Sequence, residues 1–76
     1  MNPEQIKLRK IVAANLTQRR VFLEMTREEL ARAAGIPLNM LSGIEQCRRW
    51  PGDEALTRLA KALGMEAGAL FFPPEP

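Results

Sequence analysis

The sequence contains no histidine, no tyrosine and only one cysteine among its 76 residues. Without histidine it lacks the commonest general base, and with a single thiol it also lacks the usual imidazole and thiolate ligand sets for metal ions. One cysteine excludes an intramolecular disulfide framework, so a cytoplasmic location is the expectation. We therefore expect a protein that is not an enzyme and that has no cofactor, no metal ion and no small-molecule substrate.

Long hydrophobic runs are also missing. No apolar stretch approaches the roughly 20 residues that a membrane helix requires, and the first residues lack the basic-then-apolar order of a secretory signal. We expect no membrane partner. A chain this short buries only about 60% of its unfolded surface, which favours one compact domain over residues 1–72. Residues 73–76 are expected to form a non-helical tail, because three of them are proline.

The formal net charge is only +2, but it is unevenly distributed. Residues 1–27 contain six basic and two acidic side chains, whereas residues 50–76 contain two basic and four acidic ones. A chain with one basic end is typical of proteins that bind a polyanion.

Apolar periodicity and capping signals predict five helices and no strand. The first extends from residue 4 to about residue 23, and the second, over about 26–34, begins at a capping box formed by Thr26 and Glu29 and ends at Gly35. The third covers about 37–46 with Pro37 in its first turn, the fourth ends at Gly64, and a short fifth covers about 66–71. The expected fold is an all-α compact five-helix bundle.

The two short helices on either side of Gly35 have the outline of a helix-turn-helix. The chain supplies a small residue for the helix crossing, a permissive residue for the turn and two branched apolar residues, in the series Arg27, Ala31, Gly35, Leu41 and Ile44. This spacing resembles the lambda-repressor-like (Cro/C1-type, XRE) family of phage repressors, Cro proteins and small bacterial regulators, whose pattern begins with glutamine. The stretch SGIE also resembles restriction-modification controller proteins. The alternative is a helical bundle that uses these residues only for packing.

The third helix has two different faces. When residues are placed about 100° apart, Leu41 and Ile44 fall on one side, and the opposite side is small, polar and uncharged. Such a face suits a helix in the major groove of double-stranded DNA, where an asparagine such as Asn39 can pair with an adenine. The expected base contacts are Leu38, Asn39, Met40, Ser42 and Gly43, with packing as the favoured alternative for Met40.

The resemblance also implies contacts to DNA phosphates. Family members contact the DNA backbone through the first residue of helix 2, which is Arg27 here, and Gln46, Arg48 and Arg49 are expected at the backbone after helix 3. Arg27 could instead be an exposed cation beside the helix cap. Trp50 could stack on the DNA backbone or cover the edge of the core.

The family commonly joins helix 1 to helix 3 by an ion pair, which implies a structural pair of Arg20 and Glu45. The expected function is that of a sequence-specific transcriptional regulator of double-stranded DNA. Because one recognition helix reads only a few base pairs, we expect it to bind an inverted-repeat operator as a homodimer, with the apolar C-terminal surface of Leu70, Phe71 and Phe72 as the dimer interface. Folding back of Phe72 is an equal alternative for that residue. An antitoxin-like protein-interaction module that binds a partner protein through this apolar end remains the alternative function.

Besides Arg27, three positions depart from the family pattern. Arg19 occupies a place usually given to an aliphatic residue, which could bring Phe22 or Leu23 into the core. Glu24 and Cys47 stand where glycine is frequent at helix ends, and Cys47 is expected to be an inert loop residue.

Overall fold

The structure, a computed structural model, describes residues 1–74. Over these residues it contains α1 (Pro3–Phe22), α2 (Arg27–Ala34), α3 (Leu38–Glu45), α4 (Gly52–Ala62) and a 3-10 helix (Ala67–Phe71). The predicted all-α fold is confirmed, but the fifth element is a 3-10 helix and not an α-helix. In the predicted tail, Pro73 and Pro74 are non-helical, and residues 75–76 lie outside the described residues.

Capping boxes fix the starts of the first two helices. The Thr26 hydroxyl accepts a hydrogen bond from the Glu29 backbone N–H at 3.0 Å, and the Glu29 carboxylate accepts one from the Thr26 N–H at 2.8 Å. Asn2 and Gln5 form the same reciprocal pair at the start of α1. The predicted start of α2 is thereby confirmed. Each box satisfies two backbone donors that a helix N-terminus would otherwise leave without partners.

Left-handed residues end several helices. Gly35 has φ 69°, as expected for the residue that stops α2. Glu24 and Cys47 adopt the same region, with φ of 57° and 61°, although their side chains disfavour it. These are the two positions where glycine was expected from the family pattern. Pro37 lies just before α3 with an extended backbone, and not within its first turn as predicted.

The core is formed by leucine side chains from all four α-helices and from the 3-10 helix. Leu16, Leu30, Leu41, Leu59 and Leu70 are each 0% exposed. The prediction that Leu70 belongs to a dimer interface is therefore wrong, because a side chain that fills the core cannot contact a second molecule. Phe22 and Leu23, either of which could have entered the core because of the departure at Arg19, both stay at the surface.

Two polar side chains on α1 hold the C-terminal part of the fold. Buried Asn15 donates from Nδ2 to the carbonyl oxygens of Leu70 at 2.8 Å and Phe72 at 2.6 Å. Arg19 donates from Nε to the carbonyl of Leu63 at 3.0 Å, where α4 ends, and its guanidinium lies 5.2 Å from the centre of the Phe22 ring. Arginine at position 19 thus satisfies a helix-terminal carbonyl, a task that an aliphatic side chain could not perform.

Candidate nucleic-acid interface

Helix α3 is anchored on one side and open on the other. Leu41 and Ile44 are buried, whereas Leu38 is 42% exposed, Asn39 is exposed and Ser42 is half-buried. We call Leu38, Asn39 and Ser42 the outer face of α3. Together with Gly43, Arg48 and Arg49 they line a shallow surface concavity of about 460 Å³. The small uncharged side chains predicted for this face are therefore at the surface, and two arginines lie at its edge.

Gly43 is explained by a contact within the chain. The residue is buried, and a Cβ placed on it would lie 3.2 Å from Cβ of Arg49. Its carbonyl oxygen accepts hydrogen bonds from the backbone N–H groups of Arg48 at 2.8 Å and Arg49 at 3.2 Å. Gly43 was expected to approach a base. Instead it leaves room for the loop that carries the two arginines to fold tightly onto α3.

Met40 does not belong to the outer face. Its side chain packs against the core, and it lines a different surface depression together with Ile36, Pro37 and Arg58. The expectation of a base contact is corrected here in favour of packing. A flexible thioether fills an irregular gap between α3 and its neighbours.

The loop after α3 presents its cations to solvent. Arg48 and Arg49 are exposed, and no carboxylate among residues 1–74 forms a salt bridge with either of them. Arg48 donates from Nε to the side-chain oxygen of exposed Gln46 at 2.9 Å. Trp50 packs against Phe71 with ring centroids 6.3 Å apart and is 36% exposed. The expected phosphate-binding residues of this loop thus lie together beside the concavity.

A buried carboxylate connects three helices behind this surface. Glu45 of α3 has no exposed side-chain area, and it accepts hydrogen bonds from Arg20 Nε at 2.9 Å and Arg20 Nη2 at 3.0 Å. Thr17 Oγ1 donates to the same carboxylate at 3.1 Å, and Arg27 Nε does so at 3.0 Å. The structure therefore brings Arg20 and Glu45 together as a bidentate pair. It also adds Arg27, which was expected at a DNA phosphate or as an exposed cation beside the helix cap.

The charge of this cluster follows from its hydrogen bonds. Burial by itself would raise the pKa of Glu45, but the hydrogen bonds from Arg20 and Arg27 outweigh it and lower the pKa. Glu45 is consequently ionised at neutral pH and faces two guanidinium groups, so one positive charge of the cluster is left over. Arg27, with its side chain 36% exposed, is where this charge reaches the surface.

Sequence reasoning missed two members of this cluster. Thr17 lies three residues before Arg20 on α1, a spacing that places both side chains on one helix face, so this contact had a local signal. The contact of Arg27 with Glu45 joins residues on different helices and had none. No group of three or more potential metal-ligating side chains occurs within residues 1–74, and none of the helices described there is long and apolar enough to cross a membrane.

Comparison with known proteins settles the family. The model of a family described as helix-turn-helix matches residues 6–70. The chain belongs to the helix-turn-helix family. The predicted resemblance to the Cro/C1-type helix-turn-helix family is thereby confirmed, whereas the resemblance to restriction-modification controller proteins stays a prediction. In this helix-turn-helix domain α2 and α3 are the two helices of the motif, joined through Gly35.

Two relatives support the assignment. This helix-turn-helix chain is 34% identical over 74 residues to a hypothetical transcription factor of Neisseria meningitidis, and the match covers 96% of the chain and 69% of the relative. A solved crystal structure of a hypothetical transcription factor from Neisseria superposes with a TM-score of 0.86 at 32% identity. That superposition covers 97% of this chain and 85% of the other. The helix-turn-helix arrangement is therefore shared over nearly the whole chain.

Proposed function

We propose that this protein is a transcriptional regulator that binds double-stranded DNA with sequence preference and places α3 in the major groove. The proposal rests on the outer face of α3. Its side chains are uncharged, and it lies beside exposed Arg48 and Arg49. The major groove of DNA admits an α-helix, and base edges there are read by hydrogen bonds and apolar contacts. The family and the printed names of both relatives support the same function.

Each part of the surface has a separate task in this proposal. Asn39 reads a base edge through its amide, Leu38 contacts a thymine methyl group, and Ser42 binds a neighbouring base or a phosphate. Arg48, Arg49 and Gln46 bind the DNA backbone after α3. Arg27 binds it at the start of α2, because only its Nε is used by Glu45 and its two Nη groups donate to no acceptor within residues 1–74.

We further propose that two copies bind an inverted repeat. A single recognition helix reads only a few base pairs, so a dimer with half-sites about 34 to 36 Å apart would give the specificity that a regulator needs. Phe71 is 37% exposed and Phe72 is 70% exposed, and with Leu70 removed to the core these two rings are the remaining candidates for the contact between copies. Asn15 holds the backbone carbonyl of Phe72 and thereby fixes the point on the fold from which the exposed ring projects.

The test is selection of duplexes from random DNA, followed by titration of the recovered duplex at several salt concentrations. We expect a defined sequence with two-fold symmetry, and an affinity that falls steeply with salt because released counterions dominate backbone binding. Failure to enrich any sequence would contradict the main proposal. Binding of a partner protein that is lost in Phe72→Ser, together with absent DNA binding, would favour the antitoxin-like alternative.

A further inference from the structure

The loop that carries Arg48 and Arg49 is in contact with the N-terminal half of α1. Cys47 Sγ lies 3.9 Å from the carbonyl oxygen of Arg9, which places the start of the loop against the N-terminal half of α1. At the other end of the loop, Trp50 lines a surface depression of about 260 Å³ together with Gln5, Leu8 and Arg9. The loop and this part of α1 therefore form one continuous surface.

Arg9 is the cation that α1 contributes to this surface. It is half-buried, whereas the residues on both sides of it are exposed. No carboxylate within residues 1–74 forms a salt bridge with it. A half-covered side chain beside Trp50 with no acidic partner is the arrangement in which an arginine buries its apolar stem and leaves its charge in water.

Lys7 and Lys10 belong to a different side of the same helix. Both line a surface groove with Pro3, Ile6 and Pro74, and neither takes part in the depression beside Trp50. The basic segment of α1 is thus divided between two faces. Only Arg9 is continuous with the loop of Arg48 and Arg49.

We propose that Arg9 binds a DNA phosphate and extends the backbone contact of the loop after α3 onto α1. This inference rests on the proposed function, since it assigns a further residue to the same interface. The ligand chemistry is a backbone phosphodiester next to the segment that α3 reads. Guanidinium groups suit that ligand because they donate paired hydrogen bonds and keep their charge at any physiological pH.

The decisive experiment compares three single variants on one mixed-sequence duplex, measuring affinity against salt concentration by fluorescence anisotropy. Arg9→Met keeps the apolar stem and removes the charge, Arg9→Lys keeps the charge, and Lys10→Met removes the same charge from the other face. A mixed-sequence duplex is sufficient, since phosphate contacts do not depend on base sequence.

Log affinity falls as log salt concentration rises, and we expect Arg9→Met to make this negative slope shallower by about 0.9, the value for one lost phosphate contact on duplex DNA. Arg9→Lys should keep the slope, and Lys10→Met should leave it unchanged. Equal slopes in Arg9→Met and the original protein would overturn the proposal, as would an equal loss in Lys10→Met, which would indicate a general effect of net charge.

Thermal unfolding of the same variants separates a structural role from a DNA contact. If Arg9 served only to cover Trp50, Arg9→Met and Arg9→Lys would change stability without a charge-dependent change in the slope. The outcome is also distinct from failure of the proposed function. If the proposed function fails, the original protein itself binds no duplex. If only this inference fails, the original protein binds the duplex and Arg9→Met binds it with the same dependence on salt.

Discussion

Glu45 and Arg27 form a salt bridge between α3 and α2, with Arg27 Nε 3.0 Å from Glu45 Oε1. The same carboxylate holds Arg20 of α1, so a single buried acid fixes α3 to both of the helices before it. The helix-turn-helix angle therefore depends on an electrostatic contact as well as on the leucine core. Arg27 is held at the edge of the proposed DNA surface by the same bond.

Stability should consequently depend on pH through Glu45. Its pKa is lower in the folded protein than the ordinary value of 4.5, so the unfolded chain binds more protons between the two values. The contribution of Glu45 is fully present above pH 4.5 and should be lost as the pH falls through the lower, folded pKa. Thermal unfolding from pH 7 downward measures this loss.

Glu45→Gln should be less stable than the original protein at pH 7 by about 3 to 5 kcal/mol, because it leaves two arginines beside a neutral amide. The difference in the free energy of unfolding between Glu45→Gln and the original protein should become smaller as the pH falls. Glu29 must be controlled for, since its pKa is also lowered by its hydrogen bonds with Thr26, and Glu29→Gln supplies that control. An unchanged difference at low pH would contradict the role given to Glu45.

Asn15→Ala should destabilise the fold by roughly 1 to 3 kcal/mol, because it removes the donor to two carbonyl groups and leaves a buried polar group unsatisfied. Urea unfolding measures the difference. Gln18→Ala, an exposed position one turn further along α1, is the matched control and should be nearly neutral. Equal effects of the two changes would show that the hydrogen bonds from Asn15 to Leu70 and Phe72 contribute little to stability.

Asn39→Ala should relax base preference and leave the melting temperature nearly unchanged, because the side chain is exposed and makes no hydrogen bond within residues 1–74. Loss of one bidentate contact should reduce discrimination at one base pair by about 1 to 3 kcal/mol. Competition binding with single-base variants of the selected duplex measures this. Unfolding of Asn39→Ala would show that the outer face is wrongly assigned.

Gly43→Ala should weaken DNA binding without a gain in stability. Alanine normally favours a helix over glycine by about 1 kcal/mol, but here the new Cβ would lie 3.2 Å from Arg49 Cβ and displace the loop. Gly68→Ala is the comparison, since no atom lies within 4 Å of the equivalent Cβ there. DNA affinity and urea unfolding should both be measured. A more stable Gly43→Ala protein with full affinity would contradict this account.

Glu24→Gly should stabilise the protein, because Glu24 holds a left-handed conformation with φ 57°. That conformation costs a non-glycine residue about 1 to 2 kcal/mol, and the greater freedom of glycine in the unfolded chain offsets part of the gain. Glu24→Asn should show a smaller gain, and Glu24→Ala should show none. Thermal unfolding of the three variants gives the order. A destabilised Glu24→Gly would indicate that the side chain has an unrecognised contact.

Local signals predicted the elements well. The capping box at Thr26, the stop at Gly35 and the apolar spacing of Leu41 and Ile44 are each encoded within a few residues, and the helices follow them. What stayed hidden was contact across the chain. Asn15 donates hydrogen bonds to Leu70 and Phe72, which lie more than fifty positions away in the sequence, and no residue near Asn15 indicates this contact.

The error about Leu70 has the same origin. Three apolar residues in a row at positions 70–72 show that some of them must be covered, but not which one faces inward. That choice follows from the way the 3-10 helix lies on α1, with Asn15 holding its backbone. Gly43 and Met40 were likewise assigned from a helical projection, which shows only the helix itself. It could not show that the loop with Arg49 folds back over Gly43, or that neighbouring side chains pack around Met40.

The eight residues of α3 divide into those that hold the helix and those that do not. Four side chains contact the core or the neighbouring helices, those of Met40, Leu41, Ile44 and Glu45, and Gly43 accommodates the loop after α3. Leu38, Asn39 and Ser42 instead line the surface concavity, and the two polar side chains among them form no hydrogen bond within residues 1–74. Substitutions on the outer face should therefore change the free energy of unfolding only slightly. A lineage could change which DNA sequence it recognises one residue at a time, with every intermediate still a folded protein.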